Sequence, residues 1–447
     1  MNPGGVILAF DVGGTQIKAA VMRDGSIIEQ TIGQYEAKSD LGADAILAHF
    51  IAIVQDMLKR GGLDEVEEPI IGFGLAFPGP FDYEKGICLI RGLGKFESLY
   101  GLSVGKLLED KLRANEGLRR RLAPKFRIAF ENDAALFGLG EMAGSSEGGQ
   151  GKQGRERAVC LTIGTGLGSC FLENGRLVKH RADVPANGWL YQTPYRDGIA
   201  DQYISKNGVL RLARELGVLA DTEGGSGVRE LAEAALRGSK PEIELFEAFG
   251  ARMAEILSPA LRQFDPDVVV LGGQISKSGS LFLEAFQAGL AAQRLKAQVR
   301  ISRDTFASTF RGINEFIKGM IALNKEPLKE KAAMFLSLVA SGKVREAYER
   351  YVGPDFRHHN AYFRGDAESL MLAMEENAAL NPRKTLEVKR TIEEGDSVMV
   401  HSHVKQKPED LGAAVVHIFR FVNGRIIELW DLGQAIPEHS VNENGMF

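Results

Sequence analysis

At 447 residues with a 44% hydrophobic and 25% charged composition, the chain is an ordinary globular protein too long for one hydrophobic core, so two or three domains are expected. Its net charge of −5 gives no general affinity for polyanions. Three cysteines (Cys88, Cys160, Cys170) without a C-x-x-C pair, no basic-then-apolar leader and no run of about 18 apolar residues argue against a disulfide framework, a signal peptide and a spanning helix, leaving a cytoplasmic setting as the expectation.

In chain order, Val6–Phe10 and Ile17–Met22 read as strands around a glycine turn, and Ala45–Lys59 as a helix. Ile70–Ala76 and Arg127–Phe130 follow as strands. Ala158–Ile163 and Ser169–Leu172 form a second strand pair across a glycine turn. Val209–Leu216, Ile243–Gln263 and Ser280–Leu290 have helical periodicity, with strand Val268–Leu271 between the last two. The pattern to this point is α/β, and the glycine-rich stretch Gly144–Arg157 reads as a loop. The polar segment 324–330 reads as a linker. Beyond it, Lys331–Gly342, Lys343–Tyr351 and Glu368–Ala379 are helical in pattern. The runs Leu386–Glu393, Ser397–Lys405, Ala413–Phe421 and Ile426–Leu432 then read as hairpin strands, an α+β arrangement. Six of the eight histidines lie after residue 330, whereas all three cysteines precede it.

Three strand-to-glycine turns carry the chemistry. In Phe10-Asp-Val-Gly-Gly-Thr-Gln-Ile-Lys18, Gly13 and Gly14 let backbone N–H groups approach a polyphosphate, Thr15 offers a hydroxyl, and Asp11 suits a magnesium ion or its waters. An ordinary hairpin turn is the alternative. The second is Leu161-Thr-Ile-Gly-Thr-Gly-Leu-Gly168, and the third Val268-Val-Val-Leu-Gly-Gly-Gln-Ile-Ser276, where two glycines would let a base or ribose lie close to the backbone. Asp133, in Phe130-Glu-Asn-Asp133, suits either a helix N-cap or an acid–base carboxylate.

Together, in this order, these turns resemble the phosphate-1, phosphate-2 and adenosine segments of the actin-like ATPase fold, and within it the ROK family of sugar kinases. Gly72-Phe-Gly-Leu-Ala-Phe-Pro-Gly-Pro80 and Glu131-Asn-Asp-Ala134 extend the resemblance over roughly residues 5–322. It implies two ribonuclease H-like lobes, near residues 1–125 and 126–323, with ATP and sugar in the cleft. It implies Mg2+-ATP binding by Asp11, Gly13, Gly14, Thr15, Lys18, Gly164, Thr165, Gly166, Gly272 and Gly273. Asp133 matches the family's catalytic base, and Asn132 and Gly79 fall on its sugar side.

Three departures stand out. Many ROK proteins hold zinc through one histidine and three cysteines, but no cysteine follows Cys170, so no such zinc site is expected. Where the family carries glutamate and histidine sugar contacts, this chain has Trp189 and Gln192. Trp189 either stacks on a sugar ring or packs in the core. The family's Asn-Leu segment reads Arg91-Gly-Leu-Gly-Lys-Phe96 here.

Residues 331–447 resemble a SnoaL-like, cone-shaped α+β domain at Phe356-Arg-His-His-Asn360, Val400-His-Ser-His403, Val416-His-Ile-Phe-Arg420 and Glu428-Leu-Trp-Asp431. Its pocket is expected to take His359, His401, His403 and Asp431, for acid–base work or for ligand binding alone; no metal site is assigned. The combined expectation is an ATP-dependent sugar kinase fused to a pocket domain, working as a homodimer on a small-molecule sugar, with no nucleic-acid or membrane partner. An ATP-binding sugar sensor is the alternative. A DNA-binding repressor is set aside, because the first strand begins by about residue 6, ahead of which a helix-turn-helix would sit.

Overall fold

The computed structural model describes residues 4–66, 68–145, 156–179, 181–219, 227–422 and 424–447, and divides into two compact units, Met1–Lys318 and Gly319–Phe447. Most of the expected loop at 144–157 lies outside the described residues.

The first unit is built on two sheets with the same plan. In the first, β1 (Val6–Val12) pairs antiparallel with β2 (Gln16–Arg23) and parallel with β3 (Ile70–Ala76), which pairs parallel with β4 (Leu122–Glu131). In the second, β5 (Arg157–Ile163) pairs antiparallel with β6 (Leu167–Glu173) and parallel with β7 (Val268–Gly272), which pairs parallel with β8 (Gln298–Ile301). Each sheet thus opens on a hairpin whose turn holds glycines, at the same edge of the plan. Helix α1 (Ala43–Arg60) covers the first sheet. Its Ile46, Phe50, Val54 and Met57 recur at helical spacing and are buried, with Asp44 in the first turn and Lys59 and Arg60 in the last complementing the helix dipole. The ring of Phe50 meets the edge of Phe10 at 5.8 Å, and Phe10 meets Phe73 at 4.7 Å.

Two helices join the sheets. Helix α2 (Asp133–Ser145) follows β4 directly, and α3 (Thr305–Lys325) follows β8. They cross at glycines: a Cβ on Gly140 would lie 1.7 Å from the Ser308 carbonyl oxygen, and one on Gly312 1.7 Å from that of Leu136. Helix α3 also seats Ile313 and Ile317 against the bare backbone of Gly74 and Gly72 in β3. The sequence pattern missed α3, since its interior glycines weaken helix propensity and the packing that requires Gly312 is long-range.

In the second unit, three helices, α4 (Leu328–Ala340), α5 (Val344–Tyr351) and α6 (Ala367–Leu380), share a core with a five-stranded sheet. The sheet order is β9 (Val352–His358), β13 (Arg425–Ala435), β12 (Ala413–Val422), β11 (Ser397–Lys405), β10 (Thr385–Glu394), antiparallel except for the β9–β13 pair. Strand β9 was not legible in the sequence, because Gly353 and Pro354 interrupt it; an edge strand tolerates both. Among the described residues no helix is long and apolar enough to cross a membrane.

Candidate active site

The first glycine turn closes with the Gly13 N–H donating to the Gln16 carbonyl at 2.9 Å, and leaves Thr15 exposed. Asp11 and Lys18 are cross-strand partners 3.9 Å apart. Burial, with the Asp133 carboxylate adding to it and Lys18 opposing it, pushes the Asp11 pKa up to about 6.

The second and third turns sit together because β5 and β7 are parallel neighbours. Gly273 adopts φ +91°, and a Cβ there would lie 2.4 Å from the Ile163 carbonyl oxygen, so both backbone and space require glycine. The Gly273 N–H donates to the Thr305 hydroxyl at 3.1 Å. The Gly164 N–H donates to the Gly166 carbonyl at 3.0 Å, and Thr165 is exposed. Asp201, which the sequence did not single out, fastens the second turn by accepting from the Leu167 N–H at 2.7 Å. The burial of Gly272 against the Phe137 ring makes it a packing glycine, with Gly273 the more open of the two.

Asp133 is the first residue of α2. The capping role falls to its neighbour: Asn132 Oδ1 accepts from the N–H of Ala134 at 3.0 Å and of Ala135 at 3.4 Å. Asp133 is therefore free of the cap and open to solvent, yet protein surrounds it closely. Desolvation by the surrounding protein raises its pKa, against hydrogen bonds from the helix-terminal N–H groups and the charge of Lys95. The helix start packs on the second turn, with Ala134 Cβ 2.9 Å from where a Gly168 Cβ would be, and Cys170 Sγ donating to the Ala134 carbonyl at 3.1 Å.

Asn132 and Ala135, on either side of Asp133 in the chain, line a cavity of about 260 Å³ together with Tyr83, Glu131, Lys179 and Trp189. Lys179 Nζ meets Glu131 Oε2 at 2.6 Å, and Glu131 Oε1 accepts the Asn132 N–H at 2.9 Å, so the buried carboxylate is fully engaged. The Tyr83 hydroxyl donates to the Phe77 carbonyl at 3.0 Å, and Gly79 lies against it. Trp189 reaches the cavity, tilted against Tyr191 at 5.9 Å, rather than packing into the core. Gln192 is exposed and is not among the lining residues. Tyr83, Glu131 and Lys179 were missed as a group; Glu131 alone carried a signal, beside Asn132 and Asp133.

The four histidine-unit residues expected to share a pocket do not come together. Strand register sets Val400, His417 and Asp431 on one sheet face, the face on which Val398, Phe419 and Leu429 are buried against the helices. His401 and His403 alternate to the other face, where the Phe447 ring stands 5.4 and 4.8 Å from them. His359 stacks on Trp430 at 4.6 Å on that same outer side and meets Glu428 Oε1 at 2.9 Å. Asp431 is exposed and accepts from Asn360 Nδ2 at 2.7 Å. The histidine that turns inward from β12 is His417. Its Nδ1 is buried with no hydrogen-bond partner among the described residues, and burial, with Asp431 opposing, pushes its pKa down to about 4. Its spacing of two from Phe419 and four from Phe421 was the available signal.

The ROK family model matches residues 7–326, and that of the SnoaL-like domain residues 332–429. A glucokinase of Thermotoga maritima is 25% identical over 294 residues, spanning 62% of this chain and 84% of its own. An N-acetyl-D-glucosamine kinase of Mannheimia succiniciproducens is 24% identical over 296 residues, spanning 62% and 86%. Among solved structures, a ROK family glucokinase from Streptomyces griseus in complex with glucose and AMPPNP shares the fold, with a TM-score of 0.51 at 20% identity over 70% of this chain and 98% of that one. Matched along residues 7–326, the chain belongs to the ROK family and carries a SnoaL-like domain behind it.

Proposed function

We infer that the first unit transfers the γ-phosphoryl group of ATP to a hydroxyl of a sugar seated in the cavity beside Asp133. The observation that carries this is the setting of Asp133: a solvent-open carboxylate at a helix start capped by Asn132, whose chain neighbours Asn132 and Ala135 line a cavity of polar and aromatic walls while Ala134 packs on the second glycine turn. The named relatives phosphorylate glucose or N-acetyl-D-glucosamine, and the Streptomyces griseus structure holds glucose and AMPPNP.

The turns at Gly13–Thr15 and Gly164–Gly166 offer backbone N–H groups and threonine hydroxyls to the polyphosphate, and the turn at Gly272–Gly273 takes the nucleoside end. Asp133 accepts the proton of the attacking hydroxyl; its raised proton affinity and solvent access both suit that role. Asp11 is a half-buried carboxylate in the field of a second, Asp133, with Lys18 opposing, and this donor set fits a hard divalent cation. Mg2+ bound through Asp11 or its waters would neutralise phosphate charge. Trp189 offers an aromatic face to the ring of the sugar, in place of the hydroxyl-accepting glutamate common in the family.

The chain has two tryptophans, Trp189 in the cavity and Trp430 in the second unit. In a Trp430→Phe variant, titration with hexoses and N-acetylhexosamines is expected to change Trp189 emission saturably for at least one of them. Emission unmoved by every sugar, with ADP and Mg2+ present, counts against the cavity as acceptor site.

A further inference from the structure

We propose that Lys95 is a catalytic residue of the phosphoryl transfer, its ammonium contacting the γ-phosphoryl oxygens as the group passes from ATP to the hydroxyl held by Asp133. The proposal rests on the kinase reading above. It departs from the family pattern, since Lys95 falls in the segment that replaces the family's Asn-Leu sugar contact.

Lys95 lies across the first phosphate turn. A Cβ on Gly14 would come within 2.7 Å of Lys95 Cδ and 3.7 Å of its Cβ, so the absence of a side chain at Gly14 makes room for the lysine stem as well as for phosphate. Its ammonium is close enough to Asp133 to lower the proton affinity of that carboxylate. Among the described residues it has no hydrogen-bond or ion-pair partner of its own, whereas Lys18 is held by Asp11. Lys95 is thus a half-buried cation, unneutralised by a direct contact, with its stem on the turn that holds phosphate and its charge acting on the base that receives the acceptor proton.

The backbone holds it there at a cost. Phe96 is fully buried, its ring 5.3 Å from Phe77, yet adopts φ +53°, a left-handed conformation that is unfavourable for a bulky residue. Its N–H donates to the Ser39 carbonyl at 2.6 Å, and the Ser39 hydroxyl donates to the Gly14 carbonyl at 2.6 Å. One serine therefore ties the Lys95–Phe96 backbone to the phosphate turn. The buried ring and this double link fix the lysine's position, as preorganised charge requires.

In the step, the bond from the γ-phosphorus to the bridging oxygen breaks and its electron pair leaves with ADP. The bond from the acceptor oxygen to phosphorus forms, and the acceptor proton passes to Asp133. Negative charge on the equatorial phosphoryl oxygens is where a cation gains most.

The test is nucleotide binding and turnover by the full chain and its Lys95→Gln and Lys95→Arg variants, each checked for an unchanged melting temperature. By calorimetry with Mg2+, Lys95→Gln is expected to lose about tenfold in affinity for AMPPNP and almost none for ADP. With the accepted sugar, kcat is expected to fall by roughly 10²–10³-fold, the acid limb of its pH profile moving upward as Asp133 loses a neighbouring positive charge, and Lys95→Arg is expected to recover part of the rate. Equal losses for AMPPNP and ADP, or no loss for either, would overturn the proposal. The binding arm decides it even if no sugar supports turnover, in which case it is the kinase reading that fails.

Discussion

Replacement of Asp133 by alanine is expected to lower kcat by roughly 10²–10⁴-fold, the usual contribution of a positioned general base. The affinity for ATP is expected to hold within about twofold, since the nucleotide contacts run through the backbone of the glycine turns. Helix α2 keeps its start, because Asn132 accepts from the N–H groups of both Ala134 and Ala135. The split between kcat and nucleotide binding is what separates a base from a structural carboxylate: a destabilised helix would weaken both, through the packing of Ala134 on the second turn. Steady-state kinetics beside a calorimetric ATP titration makes the comparison, with Asn132→Ala as the variant that should lose stability through the cap, by about 1 kcal/mol.

The second large effect is on stability. Gly312→Ala would set a Cβ 1.7 Å from the Leu136 carbonyl oxygen, with no flexible side chain to yield, so helices α2 and α3 must separate. A loss of ~3 kcal/mol or more is expected. Gly319, on the same helix, has nothing within 4 Å of such a Cβ and is exposed. There the same change is expected to stabilise by ~0.8–1.0 kcal/mol through helix propensity alone. Urea unfolding of the two variants beside the parent checks both signs. Equal behaviour at the two positions would contradict the crossing.

The glycine turns were legible in the sequence because each requirement is local. A strand that must end at a polyphosphate writes its need for a side-chain-free turn into nearby residues, as at Gly13–Gly14 and Gly164–Gly166. The strands themselves were legible from unbroken apolar runs such as Ile70–Ala76, buried on both faces. Helix α3 was not, since Gly312 and the contacts of Ile313 and Ile317 with β3 depend on residues more than 150 and 230 positions upstream only as a folded surface. The cavity shows the same limit. Glu131 and Lys179 meet across 48 positions, and no spacing rule pairs them.

The second unit shows a different limit. Alternation correctly placed His401 and His403 on one face, but alternation carries no phase. Which face turns to the helices is decided by the pairing of Phe419 with Leu429 and Val398, and that pairing points His417 inward and leaves His401 and His403 outside. The histidine content of the unit was plain from the sequence. Its geometry depended on register across three strands.

The most direct measurement is ADP release from ATP and Mg2+ by the purified full chain across hexoses, N-acetylhexosamines and polyols, with Asp133→Ala alongside. Release that depends on at least one of these acceptors, and that falls by orders of magnitude in Asp133→Ala, is the predicted result. Release that is indifferent to every acceptor, or that survives the substitution, would contradict the assignment of a sugar kinase with Asp133 as its base.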